Sequence, residues 1–267
     1  MSLSYQHIYH AGNPADIHKH LWLVAVLRYM TQKDKPLFWA DTHAGRGLYD
    51  LSSKEAAKTA EAATGIQKLL AAKIDHPLWQ DYVVQIKKYN PRGGLSSYPG
   101  SAILAAMLLR RDDRLSCFEL HPQEFTHLQN SLKKYRHSHA EKQDGLRGLG
   151  AYMPPPQKRG GALIDPSYEI KTDYEAVPQA LARNLKKFPQ GVFMVWYPLL
   201  PAGRHEILKE QCAALEAEVL IDEWIYADPA APDHKGMYGS GMVIVNPPYT
   251  VPETMGALKE IILPLLR

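Results

Sequence analysis

Seven apolar runs of strand length recur between residues 36 and 248, each ending in turn-forming or acidic residues. They are "PLFWADTHAG" (36–45), "RLSCFELHP" (114–122), "AEKQDG" (140–145), "GALIDPSY" (161–168), "GVFMVWYP" (191–198), "AEVLIDEWIYA" (217–227) and "GMVIVNPP" (241–248). Stretches of helical period lie among them, such as "PQEFTHLQNSLKKY" (122–135) and "TDYEAVPQALARNLKKF" (172–188). Strands alternating with helices predict an α/β fold, a mostly parallel sheet covered by helices on both faces. The last two runs are joined by "DPAAPDHKGMYGS", too short and too rich in Pro and Gly for a crossover helix. They are expected to pair as an antiparallel hairpin.

One interval breaks the rhythm. From Gly47 to Leu115 the chain is far longer than one loop and one helix. "SKEAAKTAEAATGIQKLLAAK" (53–73) and "PLWQDYVVQIKKYN" (77–90) both read as helical, and "SAILAAMLLRR" (101–111) reads as the normal partner of the first strand. Residues 48–97 are therefore expected to form a helical insertion subdomain, a structural lid or an RNA-contacting appendage, within a core of 1–47 and 98–267. Within that core, residues 1–32 are expected to carry an N-terminal motif and helix. Asn13 is a good N-cap, Pro14 suits the first helical position, and Ile17, Leu21, Val24 and Arg28 trace one face.

The 267 residues can bury one substantial core, with 45% hydrophobic and 22% charged residues. No apolar run reaches eighteen residues and "MSLSYQHIYH" has no apolar h-region, so neither a membrane span nor a secretory signal is expected. Cys117 and Cys212 read as reduced core thiols of a cytoplasmic protein. A net charge of +3 says nothing by itself about nucleic acid, and the local basic clusters are weak support for an anionic partner.

After the first strand, "DTHAGRG" offers Gly45-x-Gly47, glycines that let a backbone approach a ligand closely. A dinucleotide fingerprint would want glycine at position 50, where Asp50 stands. Glu119 ends the second strand, placed to accept ribose hydroxyls, and Asp144 ends the third, placed to accept an adenine amino group. Together they favour a nucleoside cofactor.

Two Pro-Tyr motifs remain: Asp165-Pro166-Ser167-Tyr168 and Asn246-Pro247-Pro248-Tyr249. The first follows strand four, whose end faces strand one across the switch point of a doubly wound sheet. The second follows the antiparallel last strand, so it is expected at the opposite edge, about 17–20 Å away. At the first motif, Asp165 and the Pro166 carbonyl can accept both hydrogens of an adenine amino group, and Tyr168 can stack on the base. Ser167 replaces the usual second proline.

The ordered motifs resemble the RlmJ family of S-adenosylmethionine-dependent methyltransferases, which act on adenine N6 of 23S ribosomal RNA. The resemblance is carried by "LSYQHIYHAGNPADIHKH", "DTHAGRG", "YPGS", "ELHP", "DPSYEIKTDY", "WYP" and "GSGMVIVNPP". It implies a Rossmann-like class I fold and S-adenosylmethionine held by His20, His43, Gly45, Ser101, Glu119, Asp144 and Gly145. It also implies Asp165 as catalytic acceptor, Tyr5 as a substrate-facing aromatic with His7 and Lys19 beside it, 23S rRNA as partner, and a monomer with no metal. Two other readings stand beside it. One is an RNA-binding protein that has lost activity, supported by Ser167; the other is a metal-dependent hydrolase, supported by Asp16 and His20 at i, i+4.

Overall fold

The structure, a computed structural model, describes residues 6–230 and 236–267. After a 3-10 turn at His7–Tyr9, the chain runs through α1 (Pro14–Met30) into β1 (Phe38–Asp41). The long interval follows: β2 (Leu48–Asp50), α2 (Lys54–Thr59), α3 (Glu61–Thr64), α4 (Ile66–Ala71), α5 (Pro77–Lys87) and β3 (Ser97–Pro99). Helices and strands then alternate: α6 (Ser101–Leu108), β4 (Arg114–Phe118), α7 (Pro122–Leu132), β5 (Ser138–Glu141), α8 (Gly145–Tyr152), β6 (Gly160–Ile164), α9 (Asp173–Lys187), β7 (Val192–Leu199) and α10 (His205–Ala213). The chain closes with β8 (Val219–Ile225), β9 (Gly239–Val245) and α11 (Val251–Leu266).

Seven strands form one sheet in the order β5-β4-β1-β6-β7-β9-β8. β5, β4, β1, β6 and β7 are mutually parallel, and β9 pairs antiparallel with both β7 and β8. From β1 the chain steps out to β4 and β5, then returns to β6 on β1's other side, so the switch point lies between β1 and β6. β1, β6 and β9 are buried along their whole length, as strands covered on both faces must be. Side chains alternate between two cores. Trp39, Cys117, Leu163 and Met194 face α1, α5, α6 and α11, while Ala40, Phe118, Ile164 and Val195 face α8, α9 and α10. Among the described residues, no helix is long and apolar enough to cross a membrane.

Three local readings need correction. The one-faced α1 is instead buried nearly all round, including Asp16, His18, Lys19 and His20, because α5, α6, α11 and the sheet enclose it. The signal was present in the unbroken apolar run "LWLVAVL". The helical reading of 53–73 breaks into three pieces, at Ala60 in the left-handed region (φ 53°) and at Gly65. Finally, the third strand ends at Glu141, and Asp144 stands beyond it as the N-cap of α8.

Residues 48–97 have no core of their own. Trp79, Tyr82 and Ile86 of α5 pack in one cluster with Leu21 and Val24 of α1, and the β2–β3 ladder closes the neck. α1 is anchored from the other side by Asp222 on β8. That carboxylate accepts from His18 Nε2 at 3.1 Å, Trp22 Nε1 at 2.9 Å, Trp224 Nε1 at 3.1 Å and Lys259 Nζ at 2.7 Å. Burial opposes the charge, yet His18 and Lys259 hold Asp222 well below the usual carboxylate range.

Candidate active site

The register places three loops at one edge of the sheet. Asp41 pairs with Cys117 of β4 and with Leu163 of β6, so Glu119 and Asp165 each lie two residues past Asp41's partners. They face the β1 turn across a cleft of about 240 Å³. One half is lined by His43, Gly45, Ser101 and Glu119, the other by Asp165, Pro166 and Trp196. His7, His10, Lys19 and His20 close it from the N-terminal side.

In the first half, Gly45 (φ 57°) and Gly47 (φ 79°) are both left-handed. A Cβ on Gly45 would meet the Tyr49 hydroxyl at 2.3 Å. Glu119 is fixed by two backbone donors, Gly45 N at 2.9 Å and His121 N at 2.7 Å. Burial raises its carboxyl above the ordinary value. At the end of β1, burial pushes Asp41 up to about 6, and its Oδ2 has no hydrogen-bond partner among the described residues. Burial also pushes His20 and His43 down to about 3, so both rings are neutral at pH 7. His20 Nδ1 lies 3.0 Å from the Tyr98 hydroxyl and 3.3 Å from that of Tyr82. Asp144 and Gly145 do not line this cleft. Asp144 caps α8 by accepting from Arg147 N at 2.9 Å, and Gly145 abuts the β1 turn, where a Cβ would meet the Thr42 carbonyl oxygen at 1.8 Å.

The other half is organised by a buried lysine. Lys19 Nζ donates to Asp165 Oδ2 at 2.6 Å and lies 2.9 Å from Asp16 Oδ1. Asp16 is 1% exposed; His7 Nε2 stands 2.9 Å from its Oδ2, which also accepts from Gly12 N at 2.9 Å. An ammonium in such a place must be paired, and two carboxylates pair it. Burial works against the Lys19 charge, but Asp16 and Asp165 hold it above the ordinary lysine value. Asp16 is held well below the carboxylate range by His7, Lys19 and His20 against the pull of burial. For Asp165 burial outweighs Lys19, and its carboxyl is raised. Lys19 Nζ is also 5.8 Å from the centroid of the Trp196 ring, within cation–π range.

Lys19 and His7 thus come to Asp165 from far away in sequence, while Tyr5 lies outside the described residues. Asp16 and Trp196 were not among the expected site residues. Asp16 was weighed only as a metal ligand beside His20; the sign that mattered was a carboxylate inside an apolar helix. It is occupied by Lys19 and His7, and His20 Nε2 stands 4.0 Å away. Among the described residues, no group of three or more His, Cys, Asp or Glu has the arrangement to hold a metal.

Tyr168 requires a correction. Its ring is buried against Tyr174, with centroids 4.6 Å apart, and its hydroxyl donates to the Trp196 carbonyl at 2.7 Å. It does not line the cleft, so the expected stacking surface for a base is not there; the residue instead ties the turn after β6 to β7. The ring turns inward because Tyr168 itself is left-handed, with φ 56°. Ser167 does line the cleft, its Oγ buried without a hydrogen-bond partner among the described residues.

The other Pro-Tyr motif sits at the far edge. Val245 pairs with Phe193 near the start of β7, so Asn246 exits where the parallel strands begin. Asn246 Nδ2 donates to the Pro189 and Gly191 carbonyls at 2.7 and 2.8 Å, and Tyr249 is 90% exposed.

An open, mostly parallel sheet of this order, with a glycine turn and strand-end carboxylate on one side of the switch point and an Asp-Pro turn on the other, is a Rossmann-like α/β architecture. The chain belongs to the RlmJ family: the family profile described as "Ribosomal RNA large subunit methyltransferase D, RlmJ" matches residues 34–266. It is 36% identical to the ribosomal RNA large subunit methyltransferase J of Escherichia coli K12, over 95% of this chain and 90% of that one. With the protein of the same name from Haemophilus influenzae it shares 38% identity, over 97% and 92% of the two chains. A crystal structure of a Legionella pneumophila protein superposes with a TM-score of 0.88 at 38% identity, covering 95% of this chain and 92% of the other.

Proposed function

We propose that this chain transfers a methyl group from S-adenosylmethionine to the exocyclic N6 of an adenine in 23S ribosomal RNA, with Asp165 as catalytic acceptor. The observation that carries the reading is the Asp165-Pro166 turn. It faces the glycine turn and Glu119 in one cleft, with Asp165 held by a buried lysine. Family membership supports the substrate class, since both curated relatives are named as methyltransferases of large-subunit rRNA.

The residues fit the cofactor. Glu119 keeps acceptor capacity for ribose hydroxyls beyond its two backbone donors, and Gly45 allows close approach. His20, His43 and Ser101 complete that wall, with Asp144 and Gly145 behind it. Bound S-adenosylmethionine would supply an electrophilic methyl on a sulfonium. The adenine nitrogen is a poor nucleophile because its lone pair is delocalised into the ring. Asp165 Oδ1 and the Pro166 carbonyl accept the two amino hydrogens and turn that lone pair out of the ring plane. As the N–C bond forms, N6 becomes cationic and must lose a proton; Asp165, whose proton affinity burial raises, is the group placed to take it. Lys19 fixes the carboxylate through Oδ2, and Asp16 with His7 fixes Lys19. Tyr168 holds the turn in place from behind.

The test is transfer of label from S-adenosylmethionine to unmodified 23S rRNA, followed by nucleoside analysis. Labelled N6-methyladenosine that disappears with Asp165→Ala is expected. No transfer by the wild-type chain, or full activity of Asp165→Ala, would overturn the reading.

A further inference from the structure

The short helices of the insertion contribute little to the core: α2 buries none of its residues and α3 only Ala62. They are instead attached to the N-terminal segment by polar contacts. Glu61 uses both carboxylate oxygens, Oε1 at 2.8 Å from His10 Nδ1 and Oε2 accepting from Asn13 Nδ2 at 2.9 Å. The Thr59 hydroxyl donates to the Tyr9 carbonyl, and Ile66 N donates to the Gly12 carbonyl at 2.9 Å. Gly65 allows that last approach, since a Cβ there would meet the Gly12 oxygen at 2.1 Å.

The same segment builds the lysine site. Asn13 Oδ1 accepts from Asp16 N at 2.8 Å, Gly12 N donates to Asp16, and His7 closes on the same carboxylate. A continuous path runs Glu61–Asn13–Asp16–Lys19–Asp165, although no residue of α2 or α3 lines the cleft. Apolar packing and these hydrogen bonds hold the segment together. Ile8 and Ala11 do share a buried cluster with Ala62 and Ile66, but a cavity of about 100 Å³ lined by Ile8, Ala56, Ala60 and Ala63 leaves that contact incomplete.

We infer that Glu61 is a positioning residue of the insertion, holding the N-terminal segment so that Lys19 stays on Asp165. The inference rests on the methyl-transfer reading, and it gives the insertion a task at the active site. The His10 hydrogen bond fits it: Glu61 raises the His10 pKa, and His10 and Asn13 lower that of Glu61 against the opposing pull of burial.

Glu61→Ala and Glu61→Gln in the full chain test it, with thermal unfolding confirming that each folds. Glu61→Ala should lower kcat on rRNA about 10-fold while the Kd for S-adenosylmethionine stays within about twofold, because only the catalytic half is displaced. Glu61→Gln, whose carboxamide oxygen still accepts from Asn13, should recover most of the rate. In a Lys19→Ala background, Glu61→Ala should cost nothing more. Exposed Glu55→Ala is the control with unchanged rate. Independently of turnover, an amine-acylating reagent should leave Lys19 unlabelled in the wild type and label it in Glu61→Ala. An unchanged rate in Glu61→Ala, a cost that multiplies with Lys19→Ala, or a Lys19 equally protected in both proteins would overturn the inference. An inactive wild type would instead overturn the methyl-transfer reading, and the Lys19 labelling would still decide the positioning.

Discussion

The turns at 165–168 and 246–249 share an Asp/Asn-Pro-x-Tyr spelling and almost nothing else. In the first, the left-handed residue is the last, Tyr168, which buries its ring and leaves the acid at the cleft. In the second it is the first, Asn246, whose amide is used up on two backbone carbonyls while Tyr249 points into solvent. One turn leaves a parallel strand at the switch point and faces the cleft; the other leaves an antiparallel strand at the opposite edge. Strand direction, more than consensus, separates a site from a strand exit.

The largest test of that difference is to remove the acid. Asp165→Ala should lower methyl transfer by about 10²–10⁴-fold with little change in S-adenosylmethionine binding, measured by single-turnover kinetics and calorimetry. Next comes its partner. Lys19→Met leaves Asp16 and Asp165 buried without their cation, and chemical denaturation should show a loss of about 3–5 kcal/mol together with a slower rate. On the other turn, Asn246→Gly keeps the left-handed backbone accessible but removes both amide hydrogen bonds. It should cost about 1–2 kcal/mol of stability while leaving the rate within about twofold.

The pH profile sharpens the contrast from another side. In the proposed reaction Asp165 accepts as a carboxylate, and burial raises its pKa despite Lys19. Activity is therefore complete above that raised pKa and lost as pH falls through it. The acid limb of kcat/KM should lie above the ordinary Asp value of about 4, and a limb at that value would contradict the assignment. The smallest effect is expected from Ser167→Pro, which restores a second proline. Its Oγ makes no hydrogen bond among the described residues, so the rate should stay within about threefold, with stability unchanged or raised by about 0.5 kcal/mol.

Much of this was legible in the sequence. Apolar runs that end in acids and glycines showed the parallel strands, and the Pro/Gly-rich link before β9 showed the reversal that moves Asn246 to the far edge. The Asn13 cap and Pro14 marked the start of α1 correctly. What local pattern could not show was which side chains meet. Lys19 reaches Asp165 across 146 positions, a contact set by how α1 crosses the sheet. Tyr168 was misplaced because its direction follows from a left-handed backbone that the letters Asp-Pro-Ser-Tyr do not display. The chain breaks at Ala60, left-handed at φ 53° inside a run of good helix formers, and again at Gly65, where it docks onto Gly12; such tertiary demands override helix propensity.

The most direct test of the central claim is a crystal structure of the chain with S-adenosylhomocysteine and adenosine monophosphate diffused in. The adenine amino nitrogen should lie within hydrogen-bond distance of Asp165 and the Pro166 carbonyl, with nothing bound at Asn246. A base seated against Asn246-Pro-Pro-Tyr249, or one in the cleft with its amino group turned away from Asp165, would contradict it.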